Sequence, residues 1–521
     1  MGSIIWTAIR GLSWPAIGLI VALSLLAISV GWVVYNVFFH PLAGFPGPLL
    51  YGASNLPMIY QQLRGNITIK THELHEKYGS VVRVAPWELS YISAAAWTDI
   101  CTGRNGEDPL PLNPVFGLHE LDLFGTFSLL WQQNPIQHAR HRRVMAPAFS
   151  DRSLREQEPI FAKYASLLMQ RMRDNAGTPV DLCAWFHFTT FDIIGDLTFG
   201  EPFHCLDQSR FHPWIRFILT RLRMMLVGQI ITAMGSVGLA IKMLVPKRVH
   251  DELAQHAAFT RDKVDRRRAK QSLTTRQDFM THILAAVNPA YESSAPEAKV
   301  HLITEGLTLP ELYADAQILV MAGSETSATL LSVACFNLLG HPRVLSTLQA
   351  EIRPAFFSED EITFAAVTSL PYLGAVINES LRWQPPIPAG IHRLVPKGGA
   401  MIDGRYVPEG ADVVLSQWAA NRSRRNFQDA EKFVPERWLG GAAGSKYEGD
   451  QTETFQPFGM GTRNCIGRNL ALMEARMILA RLIWGFDMEL VEGFERWAEQ
   501  KTFILYEKGE LRARLKPVTR D

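Results

Sequence analysis

Cysteine is scarce and poorly spaced for cross-linking. The 521-residue chain has five: Cys101, Cys183, Cys205, Cys335 and Cys465. No two stand at a Cys-x-x-Cys interval and the count is odd, which excludes a disulfide scaffold and a zinc module of ordinary ligand spacing. Such thiols are expected to be reduced and mostly buried. An excess of one charge sign is also missing. Lys and Arg total 52 against 51 Asp and Glu, a formal net charge of +1, so nothing in the balance points to nucleic acid. Internal repeats and low-complexity tracts are absent, which excludes solenoid arrays. With 47% apolar and 20% charged residues, the composition suits a globular protein with a large core.

The most local absence lies near the first end. No Asp, Glu, Lys or Arg occurs between Arg10 and Arg64. Within that span, Pro15 to Phe39 is almost entirely apolar. It exceeds the roughly 20 residues a bilayer-spanning helix needs and is too long for the roughly 7–15-residue core of a cleaved signal. Trp14, Trp32 and Tyr35 suit the two membrane interfaces. Residues 1–40 are therefore expected to be a retained single-pass anchor. Residues 41–65 are expected to be a proline-rich hinge around Phe45-Pro46-Gly47-Pro48, where the prolines cannot continue a helix. Residues 66–521 form the body. Met224 to Val245 is the next most apolar stretch, but it carries Gln229 and Lys242 and is interrupted by glycines. It reads as a core or membrane-dipping helix pair.

Helical patterns dominate the body, giving a mainly α fold with small β-sheets. Ile69 to Tyr78 reads as an amphipathic helix stopped by Gly79. Val81–Val84 and Glu88–Ile92 alternate as a short hairpin. Gly103 to Phe127 reads as a long loop, of the kind that is often functional. Helices are predicted from Ile136 to Gln170, from Cys183 to Phe199 and over much of Phe211 to Leu284. Ala400–Ile402 and Arg405–Val407 flank Asp403-Gly404, a hairpin turn.

Thr308-Leu309-Pro310-Glu311 predicts a capping box, with proline in the first turn of a helix. That helix runs to about Leu339, before Gly340-His341-Pro342. Its middle reads Ala322-Gly323-Ser324-Glu325-Thr326. A glycine in a helix interior costs about 1 kcal/mol relative to alanine, and a buried carboxylate is costly unless paired or wet. The segment reads either as a surface-facing polar patch or as a groove where something approaches the backbone at Gly323, with Glu325 and Thr326 available to relay protons.

Near the other end, Phe455 to Gly467 is rich in glycine. Gly459, Gly461 and Gly467 permit tight turns. A helix should begin at about Ile466, placing Cys465 at its N-terminus with Arg463 beside it. Both features favour a thiolate. With no second cysteine near, the sulfur is poorly placed for zinc; it reads as a nucleophile without an adjacent base, as a single axial ligand to haem, which needs only one sulfur, or as a buried cysteine in a glycine turn.

The run Phe458-x-x-Gly461-x-Arg463-x-Cys465-x-Gly467 resembles the haem-binding signature of the cytochrome P-450 family. Ala322 to Thr326 resembles that family's oxygen-activating segment. Glu379-Ser380-Leu381-Arg382 resembles its Glu-x-x-Arg motif, and Pro435-Glu436-Arg437-Trp438 its Pro-Glu-Arg segment. The four matches occur in family order. The resemblance implies the cytochrome P-450 fold preceded by one transmembrane helix, with 66–521 as the haem–thiolate catalytic domain. It implies heme b (iron protoporphyrin IX) held by Cys465 and a buried network of Glu379, Arg382 and Arg437. Glu325 and Thr326 would be the catalytic proton-delivering pair, and Gly323, Phe458 and Gly467 would border the cofactor. His138 stands where the family often has Trp and Arg142 at the matching Arg. These two, with Arg393 and Arg463, would approach the haem propionates. Arg140 and Arg143 are left for solvent or an acidic partner.

The implied activity is monooxygenation of a lipophilic small molecule, with electrons from NADPH–cytochrome P-450 reductase and cytochrome b5 as an optional second donor. The implied setting is the endoplasmic reticulum membrane, with the catalytic domain facing the cytosol. A haem–thiolate isomerase or dehydratase is the alternative, which intact Glu325 and Thr326 argue against. Phe116, Leu118 and Phe124, Ala322, Ala389, Ile391, Phe503 and Ile504 are expected to face substrate. Phe39-His40-Pro41-Leu42, Pro385 to Gly390 and Gln417 to Ala420 are similar to fungal enzymes of the isotrichodermin hydroxylase type, which serve secondary metabolism.

Overall fold

The computed structural model describes residues 13–103, 109–116, 123–234, 238, 241, 246–273, 276, 278–287, 306–440 and 445–519. Helix α1 (Trp14–Val34) passes into one π-helical turn, Tyr35–Phe39. No residue of α1 is buried. An uncovered apolar rod of this kind needs a bilayer or a partner around it.

The proline segment after α1 is more than a turn. Short helices Leu49–Ala53 and Leu56–Arg64 follow it. Pro46 accepts from the backbone N–H of Arg83 at 2.7 Å. The Arg83 guanidinium donates to the carbonyl of Asn36 at 3.0 Å, and buried Asn36 donates to that of Ala53 at 3.0 Å. The end of the anchor is thus tied to the body by buried hydrogen bonds.

Helix α2 (Ile67–Tyr78) ends at Gly79, whose φ of +113° suits glycine alone. Strands β1 (Val81–Ala85) and β2 (Glu88–Tyr91) pair antiparallel. The sheet continues with β3 (Arg393–Leu394) and β4 (Asp412–Leu415) in the order β1-β2-β4-β3, and β2 runs parallel to β4. The hairpin Ala400–Ile402/Arg405–Val407 turns at Asp403 (φ +50°) and Gly404 (φ +72°) as its sequence predicts.

Helices α3 (Pro135–Met145), α4 (Asp151–Asp174) and α5 (Leu182–Phe199) cover much of the core. Every residue of α5 except Ala184 is buried. Helices α6 (Pro213–Ala233) and α7 (Lys247–Ala269) follow. Helix α8 (Leu309–Gly340) is the long central helix. Its capping box is complete, with Thr308 N–H donating to Glu311 at 2.8 Å and Glu311 N–H to Thr308 Oγ1 at 3.4 Å. At about 1.5 Å per residue, its 32 residues span the whole body. It is apolar enough to cross a membrane, yet its apolar stretch is mostly buried, and α5 is its main neighbour.

Helix α9 (Pro371–Trp383) carries Glu379 and Arg382, both fully buried. Arg382 donates to both Glu379 oxygens (2.8 and 2.7 Å) and to the carbonyls of Asn421, Ala430 and Lys432, each at 2.8 Å. Arg437 reaches Glu379 at 3.1 Å and also Asp450, while Trp438 Nε1 donates to Glu379 at 2.8 Å. The network thus includes Asp450 and Trp438 besides the three residues read from the motifs. Removing one partner from so dry a set would cost about 3–5 kcal/mol.

Helix α10 (Arg468–Gly485) begins two residues later than its sequence suggests, with Gly467 at its N-cap position. The hairpin strands β5 (Lys501–Thr502) and β6 (Tyr506–Glu507) close one side of the molecule against α6.

One basic residue is placed differently from its expected role. Arg140 is 4% exposed, and its Nη1 donates to Glu311 at 3.1 Å and also to the Gly306 carbonyl. His141 lies 3.0 Å from Asp315, which also accepts from the Leu129 N–H at 2.6 Å. The capping-box acid and the acid one turn on draw these cations inward, so Arg140 serves the packing of α3 on α8 rather than solvent or a partner.

Candidate active site

The site assembles from α3, α8, β3 and the loop before α10. In that loop the Cys465 N–H donates to the Phe458 carbonyl at 2.7 Å, closing the turn. Gly459 (φ +69°) and Gly461 (φ +73°) occupy the left-handed region, where a side chain is strained. The Gly467 N–H points at the Cys465 sulfur.

Cys101, Cys183, Cys205 and Cys335 are buried, while Cys465 is exposed. The space that exposes it is an internal cavity walled by His138, Arg142, Ala322, Arg393, Arg463 and Ile466 among others. Burial raises the Cys465 thiol, and the Gly467 N–H, Arg142 and Arg468 oppose that rise. The helping cations are therefore Arg142 and Arg468, not the Arg463 that sequence proximity suggests. With burial dominant, a cation bonded directly to the sulfur is what would hold it as thiolate.

Arg142 donates to the Asn464 carbonyl at 2.7 Å and to the Asn464 side chain, pinning the residue before the cysteine. Arg393 is buried and donates to the Leu110 carbonyl at 2.8 Å. Burial and neighbouring Arg393 bring Arg463 down to about 10. Burial, then Arg463 and Arg142, bring His138 down to about 4. Among the described residues no carboxylate pairs with Arg142, Arg393 or Arg463, and Arg463 Nη1 is buried without a hydrogen-bond partner. Uncompensated guanidinium groups around a cavity demand anions. A flat group with two carboxylates and a metal facing a single sulfur satisfies every one of these demands, so the residues present fit haem.

Two predicted cofactor neighbours sit elsewhere. At Gly323 it is Ile194 of α5 that approaches the backbone: a Cβ there would lie 2.7 Å from Ile194 Cδ1. This glycine lets α5 and α8 meet, and it does not border the cysteine cavity. Phe458 holds the loop through its carbonyl, and its ring lies under the Arg468 guanidinium at 5.9 Å rather than in the cavity wall. Gly467 is closer to its expected place, since a Cβ there would stand 4.0 Å from the Cys465 sulfur.

The cysteine cavity continues past Ile318, Ala322 and Ile391 into a larger, mainly apolar one. Its wall includes Thr326, Ala389, Phe503 and Ile504. Phe116 and Phe124 are not part of that wall. Phe124 is in the core with Arg261 over its ring, and Leu118 lies outside the described residues. Thr326 Oγ1 donates to the Ala322 carbonyl at 2.6 Å.

Glu325 faces the other way, into a separate polar cavity shared with His187 and Lys508. His187 Nε2 lies 2.8 Å from one carboxylate oxygen and Lys508 Nζ bonds the other. Burial alone would raise this carboxyl, but Lys508 and His187 outweigh it and hold it down at about 2. Burial lowers His187 and Glu325 more than compensates, raising it to about 10. The carboxylate is thus buried and paired, which excludes the surface-patch reading. Neither partner was visible in the sequence, because both lie more than 130 residues away and in no motif.

The family model described as Cytochrome P450 matches residues 46–511. The chain is 40% identical over 506 residues to the cytochrome P450 monooxygenase astA of Talaromyces wortmannii, covering 96% of this chain and 97% of that protein. It is 40% identical over 516 residues to the cytochrome P450 monooxygenase lcsI of Purpureocillium lilacinum, covering 97% and 95%. It is 38% identical over 509 residues to the cytochrome P450 monooxygenase atr2 of Stereocaulon alpinum, covering 96% of each. With one cysteine open to a cation-lined cavity and an apolar chamber beyond it, the chain belongs to the cytochrome P450 family and is a haem-dependent monooxygenase.

Proposed function

We propose that the protein inserts one oxygen atom from O2 into a lipophilic small molecule of fungal secondary metabolism, and that Cys465 is the residue that would hold heme b by its sulfur. The observation that carries this reading is the Cys465 sulfur opening into a cavity whose guanidinium groups have no protein carboxylate to meet. When bound, the haem supplies the oxygen activation, which thiolate ligation favours by pushing electron density toward the metal. Arg393 and Arg463, with His138, would receive the two propionates. Arg142 adds its charge and fixes the cysteine loop through Asn464. Ala322, Ala389, Ile391, Phe503 and Ile504 hold the substrate by apolar contact and exclude water. Thr326 presents its hydroxyl on the substrate side of α8 and relays there the protons that the reaction consumes. Glu325, paired with His187 and Lys508 on the polar side, acts on that relay through its charge rather than by handing over a proton.

Electrons come from NADPH through a separate cytochrome P-450 reductase, with cytochrome b5 as an optional donor. Helix α1 anchors the chain in the endoplasmic reticulum membrane with the body on the cytosolic side. Expression with a reductase followed by metabolite profiling tests the reading, and product formation independent of O2 or of the reductase would refute it. Thr326→Ala is expected to retain haem but to divert reducing equivalents to peroxide. Unchanged coupling of NADPH consumption to product would remove Thr326 from proton delivery.

A further inference from the structure

Among the apolar walls of the large cavity, one face of β2 stands apart. The two-residue period of a strand sends Glu88 and Ser90 to the same side, and both line the cavity. The Ser90 hydroxyl is already engaged. His75 Nδ1 donates to the Gly79 carbonyl at 2.8 Å, which leaves Nε2 to accept from Ser90 at 2.7 Å, and Ser416 lies 2.7 Å from Ser90 on the other side. That chain closes without reaching Glu88.

Beside Glu88 stand His392 and Asp412, with all three groups offering an atom within 4.8 Å of the others. His392 Nδ1 and Asp412 are bonded at 2.9 Å, and Asn113 donates to the same Asp412 oxygen at 3.1 Å. No hydrogen bond or ion pair to the Glu88 side chain occurs among the described residues. Burial pushes Glu88 up to about 7, with His392 opposing and Asp412 adding to the rise. Burial lowers His392, but Asp412 outweighs it and brings the imidazole to about 9, so a cation is already at hand. The Glu88 oxygens are half-buried, open to the cavity and without a protein donor, so a ligand in that cavity is what can supply one.

We propose that Glu88 anchors the substrate by accepting a hydrogen bond from a hydroxyl group, which narrows the substrate class to lipophilic molecules already bearing a hydroxyl away from the carbon attacked. The body of such a molecule lies along Ile387, Ala389, Phe503 and Ile504 toward Ala322 and Thr326. The inference rests on the reading that this cavity is the substrate site. It also implies that a hydroxylating or ketone-reducing step supplies the substrate.

The test compares dodecan-1-ol with dodecyl methyl ether as probes of the haem-loaded full chain at about pH 8.5, where Glu88 is mainly ionised, by titrating the haem absorbance shift on binding. The alcohol-to-ether affinity ratio, compared between variants in the same lipid, cancels partitioning. Wild type should prefer the alcohol about tenfold, the scale of one hydrogen bond to a charged acceptor. Glu88→Leu should reduce the ratio below about twofold and leave the ether affinity unchanged, while Glu88→Gln, which retains an acceptor oxygen, should keep several-fold preference. A wild-type ratio near one, or a wild-type ratio retained in Glu88→Leu, overturns the anchor. If Glu88→Leu fails to load haem, the wild-type and Glu88→Gln ratios still decide. The carbon monoxide difference spectrum of the same preparations separates the two readings. An intact thiolate spectrum with no alcohol preference overturns the anchor alone, whereas a wild-type chain without that spectrum overturns the haem–thiolate reading beneath it.

Discussion

Gly461 has φ +73°, and a Cβ there would overlap the carbonyl oxygen of Cys101. Gly323 is right-handed and helical, and a Cβ there would meet the Ile194 side chain at the α5–α8 contact but no backbone. The two substitutions should therefore part company. Gly461→Ala forces backbone to move and adds about 1–2 kcal/mol for a left-handed side chain, so lower Tm and reduced haem content are expected. Gly323→Ala gains about 1 kcal/mol of helix propensity but overpacks Ile194 where α5 meets α8, at about 1–3 kcal/mol, so a small fall in Tm with haem content kept is expected. Equal effects in thermal melts and haem-to-protein ratios would contradict this distinction. The cysteine loop was readable because its turn chemistry is local. The partners of its arginines were not: Arg142 and Asn464 are 322 residues apart. The basic run at Arg140 misled for the same reason, since helical spacing gives a face but not what the face meets.

At the scale of elements, α8 is held between α5 and the carboxy-terminal segment by the Glu325–His187–Lys508 set. Glu325 titrates at about 2 in the fold against an ordinary value of 4.5. A depressed carboxyl gives stability that is present above its unfolded value and lost as pH falls through the folded one. Lys508→Met removes the stronger of the two cations, so the carboxyl should rise and the acid-induced loss of stability should move to higher pH. At neutral pH the variant should lose about 3 kcal/mol, the usual result of unpairing a buried charge. Adding Glu325→Gln should restore part of that loss. Thermal melts between pH 3 and pH 8 measure both effects, and an acid limb unchanged in Lys508→Met would contradict them. The helix itself was legible from Thr308, Pro310 and Glu311, because capping is a short-range signal. Its clamps, contributed by α5 and by the segment after β6, were not.

Across the whole molecule, the boundary between anchor and body falls earlier than a hydropathy reading places it. Asn36 lies inside the apolar run, yet it is fully buried and bonded to Ala53 and Arg83. A chain beginning at residue 35 should keep the full-length Tm and lose membrane association. A chain beginning at residue 41 should melt lower, because Arg83 then loses a buried acceptor, at about 1–3 kcal/mol. Identical melting of the two truncations would contradict that tie. The mainly α architecture and the order of its motifs were legible because they rest on helical period, caps and turn residues. The polar side of α8 and the Glu88 cluster were not, because each joins segments remote in sequence.

The decisive observation for ligation by Cys465 is the carbon monoxide difference spectrum of the reduced full-length protein, recorded beside Cys465→Ala. Wild type is predicted to show the long-wavelength band of thiolate-bound haem, and the variant to lose it. A short-wavelength band typical of a nitrogen ligand in wild type, or a thiolate band surviving in Cys465→Ala, would contradict the assignment.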